Sequence, residues 1–336
     1  MNDEAQESGQ PCVGVVGCGY WGKNLVRNFH GLEALGAVCD PTEAGRALAR
    51  DLAPGVRVVE EFEDVLLSDA VDAVALATPA ETHVELARRA MLAGKDVFVE
   101  KPMALTAVEG EEMRQVSEET DCILMVGHLL EYHPAVLKLR ELIESGELGK
   151  VNYVYSNRLN FGKVRTEENA LWSFAPHDVA VILRLMGAVP VQVTACGGSY
   201  LTPGLADVTV SQLRFEDERR AHVFVSWLHP FKEQRLTVVG DRKMAVFDDV
   251  APPERKLMLY PNRVDFSGSV PVLNKEEARP VDFPKDEPLR LECAHFLDRV
   301  ADRKRPLTDA SSGIEVLRVL QACQDSLEKH GLPVDL

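Results

Sequence analysis

The segment Cys12-Val13-Gly14-Val15-Val16-Gly17-Cys18-Gly19-Tyr20-Trp21-Gly22 decides how this chain is read. Its first half is a short, valine-rich apolar run, of the kind that forms a strand buried on both faces of a parallel sheet. Its second half spaces three glycines as G-x-G-x-x-G and opens an amphipathic stretch, Trp21–Phe29. A lone G-x-G-x-x-G says little, since glycines mark ordinary turns; between a strand and a helix it predicts a dinucleotide site. Gly17 permits the tight turn, Gly19 lets the backbone approach a pyrophosphate, and Gly22 lets the helix pack closely on the strand. The helix N-terminus turns its free N–H groups to the phosphates.

Outward from this segment the pattern repeats. Apolar runs at Leu35–Cys39, Val71–Ala77, Val97–Val99 and Cys122–Val126 alternate with amphipathic stretches at Glu43–Asp51, Glu81–Ala93 and Ala107–Thr120. The alternation predicts a Rossmann-type, doubly wound α/β domain over residues 11–128, behind a fraying N-terminus at 1–10. The second run leads into Asp40, 21 positions after Gly19. An acid there accepts from both ribose hydroxyls and repels a 2′-phosphate, so it favours NAD over NADP. Asp40 also fits a helix N-cap before Pro41-Thr42-Glu43, and both roles can hold at once; Arg46 is close enough to weigh towards NADP. Parallel sheets bind ligands beyond the carboxyl ends of their strands. That rule places Thr78, Pro79 and His83, and then Glu100 and Lys101, near the cofactor. The cofactor candidates are thus Gly17, Gly19, Tyr20, Trp21, Gly22, Asp40, Thr78, Pro79, His83, Glu100 and Lys101. The plainer alternatives are a helix-starting residue with an exposed ring for His83 and a solvated loop lysine for Lys101. The buried strand before Lys101 and the restriction imposed by Pro102 oppose the second of these.

After Val126 the character changes. Pro134–Ser145 reads as a helix that stops at Gly146, and Pro176–Met186 as another that stops at Gly187. Longer runs of period two at Val151–Asn160, Val191–Ala195, Val208–Phe215, Ala221–Leu228 and Arg235–Val239 predict half-buried antiparallel strands, with a charged hairpin turn near Glu218–Arg220. The segment Pro252–Pro280 reads as irregular loop, and helices at Leu289–Asp302 and Ser312–Glu328 close the chain. Residues 129–336 are expected to form an α+β domain with an open, mainly antiparallel sheet.

Composition narrows the classes of function. The chain has 336 residues, 46% of them apolar, and a formal net charge of -16. Such a surplus of acid disfavours nucleic acid and anionic membrane surfaces as partners. It is concentrated in residues 1–128, which carry 10 basic and 23 acidic side chains; residues 129–336 carry 27 and 30. Seven cysteines with no C-x-x-C spacing suggest neither a disulfide framework nor a zinc ribbon, as in a reduced, cytoplasmic protein. His128 and His133 lie five apart and do not share a helix face, so no metal is expected.

Several of these residues together resemble a known family. Gly17–Gly22 with Asp40, Ala77-Thr78-Pro79 with His83, Glu100-Lys101-Pro102, Gly127-His128 with Pro134, and Ser145-Gly146-Glu147-Leu148-Gly149-Lys150 are similar to the glucose–fructose oxidoreductase/inositol dehydrogenase/MocA family. The resemblance covers nearly the whole chain. It implies a nicotinamide cofactor, oxidation or reduction at a sugar or cyclitol carbon, and an open sheet often used to form homo-oligomers, dimers or tetramers. Its catalytic lysine matches Lys101, and its catalytic histidine, ten residues before a helix-ending glycine, matches His177. Many members carry an acid four residues before that histidine; here the position holds Ser173. Asp178 either orients His177 or is an acid of the first helical turn. The stretch Asn157–Arg165, followed by Glu167–Trp172, resembles a narrower group, the UDP-N-acetylglucosamine 3-dehydrogenases, which supply a 3-keto sugar to an aminotransferase.

The chemistry suits these residues. Oxidising a secondary alcohol needs a base for the hydroxyl proton and a donor for the developing alkoxide. Lys101 and His177 are expected to share the hydroxyl, with either as the acceptor. Between Asn157 and Thr166 stand three cations, Arg158, Lys163 and Arg165, and no acid. A solvated face explains this, and so does a diphosphate site, since arginine offers a planar fork to phosphate oxygens. Arg158, Asn160, Lys163, Arg165, Trp172 and His177 are accordingly the substrate-binding candidates. The expected function is NAD-dependent oxidation of a nucleotide-linked amino sugar, most simply at C3 of UDP-N-acetylglucosamine. The alternatives are a dehydrogenase of a free sugar or cyclitol, and a non-catalytic dinucleotide sensor. The pairing of Lys101 with His177 argues against the sensor.

Overall fold

The computed structural model describes residues 9–265 and 267–336. Of the fraying expected at residues 1–10, the part at residues 1–8 lies outside the described residues; Gln10 is tied by its side-chain amide to the Leu32 carbonyl (2.8 Å). The described chain divides into two units, residues 9–129 with 287–317, and residues 130–286 with 318–336.

The first unit begins β1 (Val13–Val16), α1 (Gly22–Gly31), β2 (Leu35–Cys39), α2 (Glu43–Leu52), β3 (Arg57–Val59), α3 (Glu63–Leu66), β4 (Ala73–Leu76), α4 (His83–Leu92), β5 (Asp96–Glu100), α5 (Ala107–Thr120) and β6 (Leu124–Gly127). The strands form a parallel sheet in the order β3-β2-β1-β4-β5-β6. Every residue of β1, β4, β5 and β6 is buried, which is why these strands read as unbroken apolar runs. Helix starts follow local chemistry: Thr42 caps α2 by accepting from the Gly45 amide, and Thr106 with Glu109 forms a capping box on α5. The strand order reverses beside β1, the place where such sheets open a ligand crevice. β3 and α3 are additions to the expected pattern, too short for periodicity to reveal.

The second unit opens with α6 (Pro134–Glu144), β7 (Val151–Phe161), α7 (Ala170–Met186), β8 (Gln192–Gly198), β9 (Val208–Arg214), β10 (Arg220–Ser226), β11 (Leu228–Gly240), β12 (Met244–Asp248) and β13 (Leu257–Tyr260). A separate pair, β14 (Arg263–Asp265) and β15 (Val272–Asn274), precedes β16 (Arg279–Pro280). After α8 (Pro288–Asp302) and α9 (Ala310–Glu328) the chain ends in β17 (Val334–Asp335). The sheet runs β16-β13-β12-β11-β7-β10-β9-β8-β17; β7 and β10 pair in parallel and the other neighbours are antiparallel. Burial alternates along β9 and β10, as their period-two sequences require. Glu218 makes the turn between them with φ +66°.

Three details differ from the sequence expectations. Pro252–Pro280 is not wholly irregular, since it holds β13 to β16. α7 starts at Ala170, not Pro176: Asn169 caps it by accepting from the Trp172 amide (3.2 Å), and the helix continues through Pro176. Residues 287–317 pack with the first unit. There Phe296 of α8 meets Phe29 and Phe98 edge-on, with ring centroids 6.4 and 5.7 Å away. Thr308 then exchanges bonds with the backbone of Val126 on β6, and Arg303 pairs with Asp96. Among the described residues no helix is long and apolar enough to cross a membrane.

Candidate active site

The glycines after β1 divide by role. Gly17 has φ +91°, and a Cβ there would lie 2.8 Å from the Ala77 carbonyl oxygen; at Gly22 it would lie 1.9 Å from that of Gly17. Both positions are closed by the protein's own backbone. A Cβ at Gly19 would meet nothing within 4 Å. The turn is therefore packed beneath and open above at the residue whose backbone should approach a phosphate, and α1 has no acid in its first turn to oppose an anion. The cradle fits a dinucleotide pyrophosphate.

Asp40 lies buried at the end of β2. One carboxylate oxygen accepts from the Cys18 amide (2.7 Å), the other from the Thr42 amide (2.8 Å) and hydroxyl (2.6 Å). Burial alone would raise its pKa. The Thr42 hydroxyl, the two amides and the Arg46 charge outweigh that and hold the carboxyl below its ordinary value. Gly45 allows this approach, because a Cβ there would fall 2.2 Å from the Asp40 carboxyl carbon. Arg46 donates to the carbonyls of Asp40 and Pro41 and pairs with Glu43 and Glu60 (2.9 and 3.1 Å). Its guanidinium is committed within the protein, which answers the sequence argument for NADP.

The end of β5 is bonded to this turn. Tyr20 is exposed, but the Trp21 indole N–H donates to Glu100 (2.5 Å), so its polar edge is directed to protein. Burial pushes Glu100 up to about 7, against the pull of the Trp21 N–H and the Lys101 charge. The Lys101 amide faces the other Glu100 oxygen at 3.4 Å, and Lys101 is half-buried. Thr78 bonds Thr82 through its hydroxyl (2.7 Å), and Pro79 is exposed. His83 is only 1% exposed, which rules out the plainer alternative of a helix-starting residue with an exposed ring. Its Nδ1 lies 2.8 Å from the Pro102 carbonyl and its Nε2 3.0 Å from that of Thr78.

In the second unit the sequence-selected cations are mostly engaged. Arg158 donates to both Asp178 oxygens (2.6 and 3.3 Å), and the Ser156 hydroxyl donates to Asp178 as well (2.5 Å). Asp178 does not sit in a first turn: it is a mid-helix carboxylate, 3% exposed, that holds β7 to α7. Arg165 donates to the Ser173 hydroxyl (3.0 Å) and pairs with Glu167 and Glu168. The basic stretch is thus balanced by acids that follow it in sequence or face it in space. Lys163 is exposed; Asn160, Trp172 and His177 are half-buried. The sequence reading missed the Asn169 cap, although an asparagine just before the apolar Ala170-Leu171-Trp172 is a signal that could have revealed it. Among the described residues no three His, Cys, Asp or Glu gather as a metal site.

Comparison with known proteins agrees with this geometry. Residues 12–128 match the oxidoreductase family with an NAD-binding Rossmann fold, and residues 136–246 match the GFO/IDH/MocA C-terminal domain. The chain belongs to the Gfo/Idh/MocA oxidoreductases, and its cofactor is NAD. Among similar members, the UDP-N-acetylglucosamine 3-dehydrogenase of Acidithiobacillus ferrooxidans is 27% identical over 311 residues, 91% of this chain and 93% of that protein. The scyllo-inositol 2-dehydrogenase (NAD(+)) of Bacillus subtilis is 28% identical over 341 residues, 96% and 95%. An oxidoreductase of Streptococcus pneumoniae is 32% identical over 203 residues, so the match spans about half of that relative, 54% of it, and 57% of this chain. A solved structure of the Acidithiobacillus ferrooxidans enzyme superposes with a TM-score of 0.83 at 25% identity, covering 95% of this chain and 97% of that one.

Proposed function

We propose that this Gfo/Idh/MocA oxidoreductase oxidises the C3 hydroxyl of UDP-N-acetylglucosamine to the 3-keto sugar, for use by an aminotransferase. The observation that carries the reading is the end-to-end likeness, in sequence and in fold, to a UDP-N-acetylglucosamine 3-dehydrogenase. Bound NAD supplies the hydride acceptor. The chain's own residues supply the rest. Gly19 and the start of α1 hold the pyrophosphate, and Asp40 receives the ribose. We assign the hydroxyl proton to Lys101 and His177, one taking it and the other donating to the developing alkoxide. Lys163 is exposed and so available to an anionic substrate; Asn160 and Trp172 complete the substrate assignment. Arg158, through Asp178, and Arg165, through Ser173, act by holding β7 and the segment after it to α7. The overall change converts a secondary alcohol and NAD to a ketone, NADH and a proton.

A second reading, a cyclitol dehydrogenase, is favoured by the equally long match to the scyllo-inositol enzyme. The test is NADH formation with UDP-N-acetylglucosamine, free N-acetylglucosamine, myo-inositol and scyllo-inositol, with an aminotransferase present to draw off the ketone. Turnover restricted to the UDP-sugar is expected, and preference for a cyclitol would refute the reading. Lys101→Ala should lower turnover by about 10²–10⁴-fold.

A further inference from the structure

We infer that His83 is a positioning residue for Lys101, acting through the Pro102 carbonyl; the inference rests on the assignment of Lys101 above. The geometry is specific. The imidazole is buried at the first residue of α4 and spans two backbone segments, the end of β4 at Thr78 and the turn after β5 at Pro102. A 1% exposed ring makes no broad contact with a dinucleotide, so a cofactor-binding role does not explain it. Both ring nitrogens face carbonyl oxygens, which only accept. A neutral imidazole carries one N–H and so donates to one of the two. The Nδ1–Pro102 contact is the shorter.

Protonation would satisfy both carbonyls, but the surroundings oppose it. Burial is the largest effect and pushes the ring below its ordinary pKa, with the Lys101 charge acting in the same direction. The two carbonyls and Glu81 favour the charged form. The ring is therefore a neutral single donor at neutral pH, and we assign its proton to Nδ1, on Pro102. On the other side of Lys101, Glu100 is held by the Trp21 indole. The residues flanking Lys101 are thus pinned from two directions, Glu100 by the turn after β1 and Pro102 by the start of α4. A lysine that must reach one hydroxyl needs its backbone fixed, since a misplacement of about 1 Å can lower a rate by about 10²-fold.

The test uses the full chain saturated with NAD and three substitutions. His83→Asn places an amide nitrogen near the position of Nδ1 and keeps the donor to Pro102. His83→Gln places it near Nε2, where it can donate to Thr78 but not to Pro102; His83→Ala removes the side-chain donor altogether. The expected order of kcat is parent, then Asn, then Gln and Ala, with Ala lower than the parent by about 10²-fold, while KM and the dissociation constant of NAD change little. If His83→Ala does not fold, the contrast between Asn and Gln decides the matter. Equal kcat for those two variants, or a loss confined to NAD binding, overturns the inference. A readout independent of the substrate is acetylation of Lys101 by acetic anhydride, measured by peptide mass spectrometry against the exposed Lys304 as internal reference. Here His83→Gln should change the relative reactivity of Lys101 several-fold and His83→Asn should leave it near the parent's. Should every sugar fail to turn over while this shift is seen, the proposed function falls and the positioning role stands. An unchanged Lys101 reactivity in the Gln variant sinks the positioning role whatever the substrate.

Discussion

Replacing Asp178 by alanine should destabilise the second unit severely. The carboxylate is 3% exposed and receives Arg158 through Nε and Nη2 and Ser156 through its hydroxyl. The Arg158 side chain is itself only 13% exposed, so its charge cannot recover full hydration once the partner is gone. Removing one member of a buried pair costs roughly 3–5 kcal/mol, because the other is left charged and desolvated. At about 2–4 °C per kcal/mol for a domain of 150–250 residues, the melting temperature should fall by roughly 6–20 °C. Arg158→Met alone should also be costly, and adding it to Asp178→Ala should recover much of the loss, with a coupling energy above about 2 kcal/mol. Denaturant unfolding of the four proteins, followed by far-ultraviolet circular dichroism and by tryptophan fluorescence, measures both quantities. A melting temperature of Asp178→Ala unchanged within error, or strictly additive single effects, would refute the claim that this pair is buried and mutually dependent.

Two further outcomes follow from other parts of the molecule. His133 caps α6 by accepting from the Ala135 amide through Nδ1 (3.1 Å), and burial, reinforced by Lys256 and opposed by Asp249, lowers its pKa from 6.5 to about 4. Between those values the unfolded chain binds a proton that the folded chain does not. Its contribution is therefore present above pH 6.5 and is lost as pH falls towards 4, about 3 kcal/mol in all. His133→Asn keeps a capping acceptor without the titration, so its unfolding midpoint should drop less than the parent's between about pH 7 and about pH 4.5; equal drops would contradict this. The glycine turn gives a paired contrast. Gly19→Ala should leave stability within about 0.5 kcal/mol yet weaken NAD binding by about tenfold or more, whereas Gly22→Ala should lower stability outright. Thermal melts and fluorescence titration with NADH separate the two, and a destabilised Gly19→Ala would count against the open cradle.

Much of the first unit was legible from local sequence. Fully buried parallel strands leave unbroken apolar runs, amphipathic helices leave a period near four, and capping residues such as Thr42 and Thr106 mark helix starts. Each signal lies within a few residues of the element it describes. β3 and α3 escaped because three or four residues carry no period. Pro176 misled because a proline suits a helix start, and only the Asn169 cap with the packing of α7 shows that the helix begins a turn and a half earlier.

The sequence by itself determined the dinucleotide turn, the acid at Asp40, the alternation that makes a doubly wound sheet, and the change to period-two strands after Val126. These follow from backbone geometry and from which faces of an element are buried, and both are written locally. Only the tertiary structure decided which charges are spent within the protein. Arg158 met Asp178 across 20 positions, and the Arg46 guanidinium met Glu60 across 14. Only folding likewise returned residues 287–317 to the first unit and put the His83 ring between Thr78 and Pro102. A charged or polar side chain far along the chain leaves no periodic trace of its partner, so its state is set when the fold brings the two together and removes the water between them.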